Sequence, residues 1–598
     1  MLMAVGLAAP VVLAAIIALA GLLSPQGALR LRRGATVLSP VTVVPAAALT
    51  LLSPDAEWQA PWLLFGTVFS LDPAARALTL IAALLYGGAL VAVGWLKTKD
   101  AERGSGALSG FLLVCFTGNI GTYWAADVVS FYLTFAVMSF SAAGLVIHYR
   151  HQRARRATRI YLVMSVFSET AILAGLLLTA GAGGYLVAEA PAAVASSDHT
   201  GLIVVLLLIG FGVKAGTVPL HVWLPLAHPA APPAASAVLS GAMVKAGLVG
   251  WIRFLPLGQG PGDVPAGHVL LALALLGAFA AVVIGVLQQD PKVVLAYSTI
   301  SQMGFMTCLV AVAMLNPSAA GAASAAAVLY AVHHGLAKGA LFLGVPVVKH
   351  YGSGRTGVLV TVGMVGAALA VAGAPLTSGA YGKYVSKEAV EGISVMGLGL
   401  AELLPLVAVG STLLLMRFGW VISRADRAAP RPPDGELLSW LAVCAAGVTV
   451  PWAAGLWWLP AAGEFSWTAT ALWDASWPIL LGLAAGAVAW WAARRRLAPA
   501  WLRADGTTVQ PGDLVVAEES LLTGAWKRTS RGVELAHRGS AAVLQGGAAA
   551  ARGAAARSRR GIARAESTVD SWEGSGVVIL VLTATAVVAV VVWGGGVR

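Results

Sequence analysis

Residues 210–225 read GFGVKAGTVPLHVWLP, and they continue an apolar run, LIVVLLLI, at 202–209. A lysine, Lys214, stands inside a membrane-spanning pattern, and Pro219 and Pro225 interrupt the stretch beyond it. A charged side chain near the bilayer centre costs on the order of 2.5–3.5 kcal/mol even on the lenient insertion scale, so such a residue is a functional candidate by default. A broken helix leaves unpaired backbone groups, tolerated at depth only where protein or a water-filled cavity satisfies them. Broken helices of this kind mark transporter sites. The stretch therefore reads as a discontinuous transmembrane helix carrying a buried cation.

The same combination occurs once more, in GAPLTSGAYGK at 373–383, where Gly373, Pro375 and Gly379 precede Lys383. A proline kink made for packing would explain either break alone, but not the coincidence with a lysine twice. Other ionisable residues stand inside apolar runs: Glu169 in SVFSETAIL, Lys245 in SGAMVKAGLVG, and His334 with Lys338 in AVHHGLAKGALFLG. The last two are four residues apart and share a helix face. A lysine near a helix end can snorkel to the interface; Lys214, Lys245 and Lys338 all lie too deep in apolar sequence for that to serve the set. Burial lowers a lysine's pKa and a nearby carboxylate raises it again, so such a group can switch near neutral pH. Histidine switches there with little perturbation. Glu169, Lys214, Lys245, His334, Lys338 and Lys383 are the candidate proton relay.

Working outward, 598 residues are 58% hydrophobic and 11% charged, against about 25% charged in soluble domains. A spanning helix needs roughly 20 apolar residues, and the sequence predicts about sixteen, the first near position 4 and the last near 576. The first, Val5 to Leu23, lacks the basic start of a signal peptide and is read as a retained helix. Basic residues gather after the odd-numbered spans, as in Arg30, Arg32 and Arg33, then Lys97, Lys99 and Arg103, then Arg150, Arg153, Arg155 and Arg156. Lys292, Lys349 with Arg355, Arg424 with Arg427 and Arg431, and Arg494–Arg496 keep that parity, while even exits carry Asp55, Glu57, Glu189, Asp198, Asp263 and Glu464. With positive charge inside, both termini are expected outside.

The net charge of +12 thus belongs to loops at a membrane surface and not to nucleic-acid binding. Cys115, Cys308 and Cys444 are scattered, with no ligand spacing for zinc or an iron–sulfur cluster. No phosphate-binding glycine loop follows a strand. The expectation is a chain with no cofactor and no metal; any redox chemistry coupled to it resides in another subunit.

The two broken helices are five spans apart, and a repeat of five helices must be inverted in the membrane. The expected all-α organisation is: residues 1–106, helices 1–3; 107–256, a first repeat; 257–420, a second, inverted repeat; 421–510, helices 14–15; 511–572, a long basic amphipathic helix lying laterally on the membrane; and 573–598, a final anchoring span.

HVWLPLAHPAAPPAASAVLSGAMVKAG at 221–247, QQDPKVVLAYSTISQMGFM at 288–306 and HHGLAKGALFL at 333–343 together resemble the antiporter-like subunits of respiratory complex I, membrane-bound hydrogenases and Mrp cation/proton antiporters. The resemblance runs from about Gly110 to Val390. The basic segment and final span look like the lateral helix and anchor of the large complex I subunit, or of its hydrogenase-4 counterpart.

The resemblance implies that Lys214 is the broken-helix lysine of a first half-channel and Lys245 the connecting lysine. It further implies that His334 and Lys338 are the central relay and Lys383 the terminal lysine. His221 and His228 fall in the family's HxWLPxAH pattern, and with His333 and Lys387 they are accessory candidates. One departure stands out: the family's fifth-helix Trp-Glu pair is replaced by Phe135 and Ala136. Glu169, one helix later, is the candidate substitute.

The implied role is a proton-translocating subunit of a redox-driven complex, partnered by other membrane subunits in a prokaryotic inner membrane. An Mrp-type Na⁺(K⁺)/H⁺ antiporter subunit, or the membrane partner of a bicarbonate or CO₂ uptake system, would reuse the same relay.

Overall fold

The computed structural model describes residues 1–495 except 21–23, 54, 64–65, 100–104, 260–264 and 429–431, together with 497, 511–512 and 514–515. The expected lateral helix and final anchor otherwise lie outside the described residues. Helix α1 spans Leu2–Leu19; α2, Pro25–Leu38, passes through a 3₁₀ turn at Ser39–Val43 into α3, Val44–Leu52. An antiparallel hairpin, β1 (Glu57–Ala60) and β2 (Thr67–Ser70), pairs Glu57 with Ser70 and leads into α4, Pro73–Lys99, and α5, Ser105–Trp124. Next come α6 (Val128–Val146), α7 (Gln152–Gly181), the short α8 (Ala190–Ser196) and α9 (Thr200–Ala215).

Beyond the first break lie α10 (Trp223–Ala230) and α11 (Pro233–Val238), then a π-helical turn at Leu239–Met243 that continues into α12, Val244–Phe254. Then come α13 (Pro265–Val286), α14 (Pro291–Leu315), α15 (Ala320–Tyr351), α16 (Gly354–Ala372) and α17 (Ser378–Glu388). A two-residue hairpin, β3 (Ser394–Val395) with β4 (Leu398–Gly399), precedes α18 (Leu400–Leu403), α19 (Leu406–Ser423), α20 (Gly435–Trp457) and α21 (Ala469–Arg494).

Among the described residues, thirteen helical segments are long and apolar enough to cross a bilayer, and Thr200–Ala215 is a shorter apolar helix. Burial ranks them. The α14 span and the segment Pro233–Phe254 are 94% buried, while α21 is 17% and α16 28% buried. The outer helices thus turn leucine, valine and tryptophan outward, as lipid-facing helices must, and the polar side chains collect on the inner ones.

Helix starts carry short polar caps. Asp127 accepts from Ser130 N at the start of α6 and from Val68 N of β2, which ties the hairpin to the bundle. Asp290 caps α14, with Pro291 in the first position; Thr377 caps α17 and Thr468 caps α21.

The two expected breaks are present, and glycines make them. Gly216 and Gly373 end α9 and α16 in the left-handed region, φ +71° and +88°, where a side chain is strained. Two other residues read as breakers act differently. Pro225 sits in the first turn of α10, where a missing N–H costs nothing. Gly379 is inside the first turn of α17; a Cβ there would collide with the Ala370 carbonyl, so the glycine lets α17 press against the end of α16. Because β3 and β4 occupy 394–399, the apolar span after α17 begins only at Leu400.

Candidate functional site

Lys214 is in the last turn of α9, so it meets the negative end of that half-helix. Lys383 lies beyond the second break, on α17, yet its Nζ donates to the Ala372 carbonyl at 2.6 Å, the last residue of α16. Both lysines therefore serve the C-terminal end of the half-helix before a break. One does so from within it and the other by reaching back.

Around Lys214, Nζ donates to the Tyr161 hydroxyl at 3.0 Å, and that hydroxyl donates to the Ser139 carbonyl at 2.8 Å. The ammonium also faces the rings of Tyr161, Phe135 and Trp223 at 5.2, 5.8 and 6.0 Å. Where the family resemblance calls for the Trp-Glu pair, an aromatic ring confronts the cation and no acid does. Glu169 on α7 is turned inward and 4% exposed. It lies beside Ser139, and its charge interacts with that of Lys214. It is a buried carboxylate close to the lysine without being paired to it.

At the centre, α11–α12 and α15 touch through glycines. A Cβ on Gly335 would lie 2.6 Å from the Gly241 carbonyl, and one on Gly241 2.9 Å from the Gly335 carbonyl. This contact sets Lys245 against His334, with Nζ 2.8 Å from Nδ1. The π turn contributes as well, since a wider turn frees carbonyls from the i→i−4 ladder. Lys245 Nζ donates to the Ser240 carbonyl at 2.6 Å, and Tyr123 Oη to the Ala242 carbonyl at 2.9 Å. Lys338, one turn along α15 from His334, donates to the Leu295 carbonyl at 2.9 Å.

The adjacent histidines part company, because consecutive residues point about 100° apart around a helix. His333 Nδ1 meets Ser378 Oγ at 2.9 Å, at the start of α17, and its charge interacts with that of Lys383. The accessory candidate His333, and not Lys338, is thus the α15 side chain directed toward Lys383. His228 is buried and stacks on Phe342, ring centroids 4.6 Å apart. His221 is buried between α9 and α10. Lys387 lies apart from the buried file, in a half-buried ion pair with Asp474 of α21 at 2.6 Å.

Three participants escape a reading of the sequence alone. Tyr161 holds Lys214; Ser378 holds His333; and Gln302 takes a hydrogen bond from Tyr330 while giving one to Ser411 Oγ at 2.8 Å. A signal existed for the first, since Tyr161, Ser165, Ser168 and Glu169 keep helical spacing and draw one polar stripe down α7. Among the described residues no group of three or more His, Cys, Asp or Glu side chains converges as a metal site.

The arrangement is a helical bundle whose interior holds cationic and imidazole side chains, bonded to hydroxyls, carbonyls or one another, between two broken helices. It is the arrangement of a polytopic membrane protein. Residues 125–401 match the family described as NADH:quinone oxidoreductase/Mrp antiporter, transmembrane.

The chain is 31% identical over 255 residues to hydrogenase-4 component B of Escherichia coli, covering 41% of this chain and 38% of that one. It is 28% identical over 293 residues to a Na(+)/H(+) antiporter protein of Alkalihalophilus pseudofirmus, covering 48% and 57%. It thus spans less than two thirds of either curated relative. Its fold matches that of the Mrp complex from Dietzia sp. DQ12-45-1b with a TM-score of 0.68 at 21% identity, over 89% of this chain and 60% of the other.

Proposed function

We propose that the chain is a proton-translocating, antiporter-like subunit of a multi-subunit complex of the complex I or membrane-bound hydrogenase type, in a prokaryotic inner membrane with both termini outside. Protons pass from Glu169 and Lys214 through Lys245, His334 and Lys338 to Lys383, with His333 as the link into α17. The hydrogen bond between Lys245 and His334, both wholly buried, carries the reading. One proton shared by an amine and an imidazole can sit on either, so the charge moves along the file while its total stays constant. Neighbouring charges in a low-dielectric file feel each other strongly, and a proton added at one node therefore pushes on the next.

The matching breaks, each a left-handed glycine with a proline shortly after it, support two inverted repeats at 107–256 and 257–420. The hydrogenase-4 relative supports a redox-driven assembly whose other membrane subunits are the partners. The Na⁺/H⁺ antiporter relative favours a second reading, exchange of Na⁺ for H⁺ through the same file.

Lys214→Ala and Lys383→Ala, each in the assembled complex, are expected to abolish ion movement while leaving assembly intact. Normal transport in either rejects the relay. The subunits that co-purify decide between the readings: redox proteins for the first, small Mrp-like membrane proteins for the second.

A further inference from the structure

Between the Lys214 site and the Lys245 site stands a buried hydroxyl that the relay does not use. Tyr86, on α4, is wholly buried and packs its ring on Phe116, centroids 5.3 Å apart. Its Oη has no hydrogen-bond partner among the described residues. A buried hydroxyl is almost always partnered, by protein or by ordered water. A phenylalanine would pack equally well against Phe116, so the ring alone does not account for the oxygen.

Its neighbours locate it between the two sites. The phenol is close enough to Cys115, Tyr123 and Tyr161 to interact with each electrostatically. Tyr161 is the residue that holds Lys214 Nζ. Tyr123 bonds the Ala242 carbonyl of the same π turn whose Ser240 carbonyl holds Lys245 Nζ. The adjacent Leu85 wedges α4 into the central contact: its side chain fills the space beside Gly241, 2.5 Å from where a Cβ would stand, and also the space beside Gly339. A second buried polar side chain lies nearby: Asn119 on α5 is fully buried beside Tyr123.

We infer that Tyr86 and Asn119, on helices outside the family-matched residues 125–401, line a short hydrated passage that conducts protons between Lys214 and Lys245. An orphaned buried hydroxyl is what ordered water serves, and a hydroxyl accepts one hydrogen bond while donating another. A proton arriving at the Tyr86 oxygen from one water releases the proton it carried to the next. Tyr86 ends neutral, Lys214 ends as an amine, and Lys245 with His334 holds the added charge. No oxidant, reductant or cofactor enters.

The inference rests on the proposed relay, and the test separates the two. The complete complex is reconstituted into vesicles, an electrical potential is imposed, and proton flux is read with an entrapped pH-sensitive dye. Tyr86→Phe is expected to cut flux at least tenfold with subunit composition unchanged, and Tyr86→His, which restores a polar group, to recover a substantial part. Tyr123→Phe is the second variant, should Tyr86→Phe fail to assemble, and is expected to slow flux comparably.

Wild-type flux in Tyr86→Phe, or in Tyr123→Phe if the first does not assemble, beside a dead Lys214→Ala overturns the passage and leaves the relay standing. Wild-type flux in Lys214→Ala overturns the relay itself. A Tyr86→His variant as slow as Tyr86→Phe shows that a polar group at 86 does not sustain the flux, and overturns the passage too.

Discussion

The Tyr161 hydroxyl sits between Lys214 and α6: it accepts from the ammonium at 3.0 Å and donates its own proton to the Ser139 carbonyl at 2.8 Å. Both of its hydrogen-bonding roles are fixed, so Lys214 faces an oriented lone pair. Tyr161→Phe keeps the ring against Trp223, centroids 5.2 Å apart, and removes only that oxygen. A hydrogen bond to a charged group contributes about 1.5–3 kcal/mol, so ion flux in reconstituted vesicles is expected to fall by at least tenfold with unchanged assembly.

Glu169→Gln preserves shape and removes the charge. The amide keeps the size of the carboxylate and can still bond Ser139, so the complex is expected to assemble normally. Flux is expected to drop more than tenfold if this carboxylate replaces the acid absent at Ala136. Unchanged flux would show that Lys214 works without a charged partner on α7.

Gly335→Ala places a methyl group 2.6 Å from the Gly241 carbonyl, and both sides of that contact are backbone. Overpacking of a tight interior typically costs about 1–3 kcal/mol, and here it also separates Lys245 from His334. Thermal unfolding in detergent is expected to shift downward, and flux to be lost. Gly366→Ala on α16, where nothing lies within 4 Å of the added carbon, is the matched control and should change neither.

Lys387 and Asp474 tie α17 to α21 with side chains 34% exposed. Partly exposed pairs of this kind contribute about 0–1 kcal/mol. A double-mutant cycle of Lys387→Ala with Asp474→Ala should return a coupling below about 1 kcal/mol, and Lys387→Ala should transport within a few-fold of the parent protein. Complete loss of flux would move Lys387 from a strut into the relay.

The lysines of the proposed file stand out in the sequence, because a charge in an apolar run violates the pattern around it. The breaks were legible too, through glycine and proline. The partners were not. Tyr161, Ser378 and Gln302 are ordinary residues for inner helices, and their role depends on which helix lies opposite. His333 and His334 show the limit plainly: they are adjacent in sequence, and only the packing of α12 on one side of α15 and α17 on the other gives them different neighbours. The π turn at 239–243 left no local trace, since LSGAM contains nothing that forbids an α-helix; contacts across the glycine pair accompany it.

Helix α9 has sixteen residues, about 24 Å at 1.5 Å per residue, against a hydrocarbon layer of roughly 30 Å. Its lysine-bearing end stops short of the far boundary. A proton held at Lys214 has therefore crossed only part of the electric field, whose full drop amounts to about 2.3 kcal/mol per charge per 100 mV. In the proposed relay, the step that loads Lys214 therefore works against only a fraction of the voltage, and the rest of the drop falls on the steps beyond it.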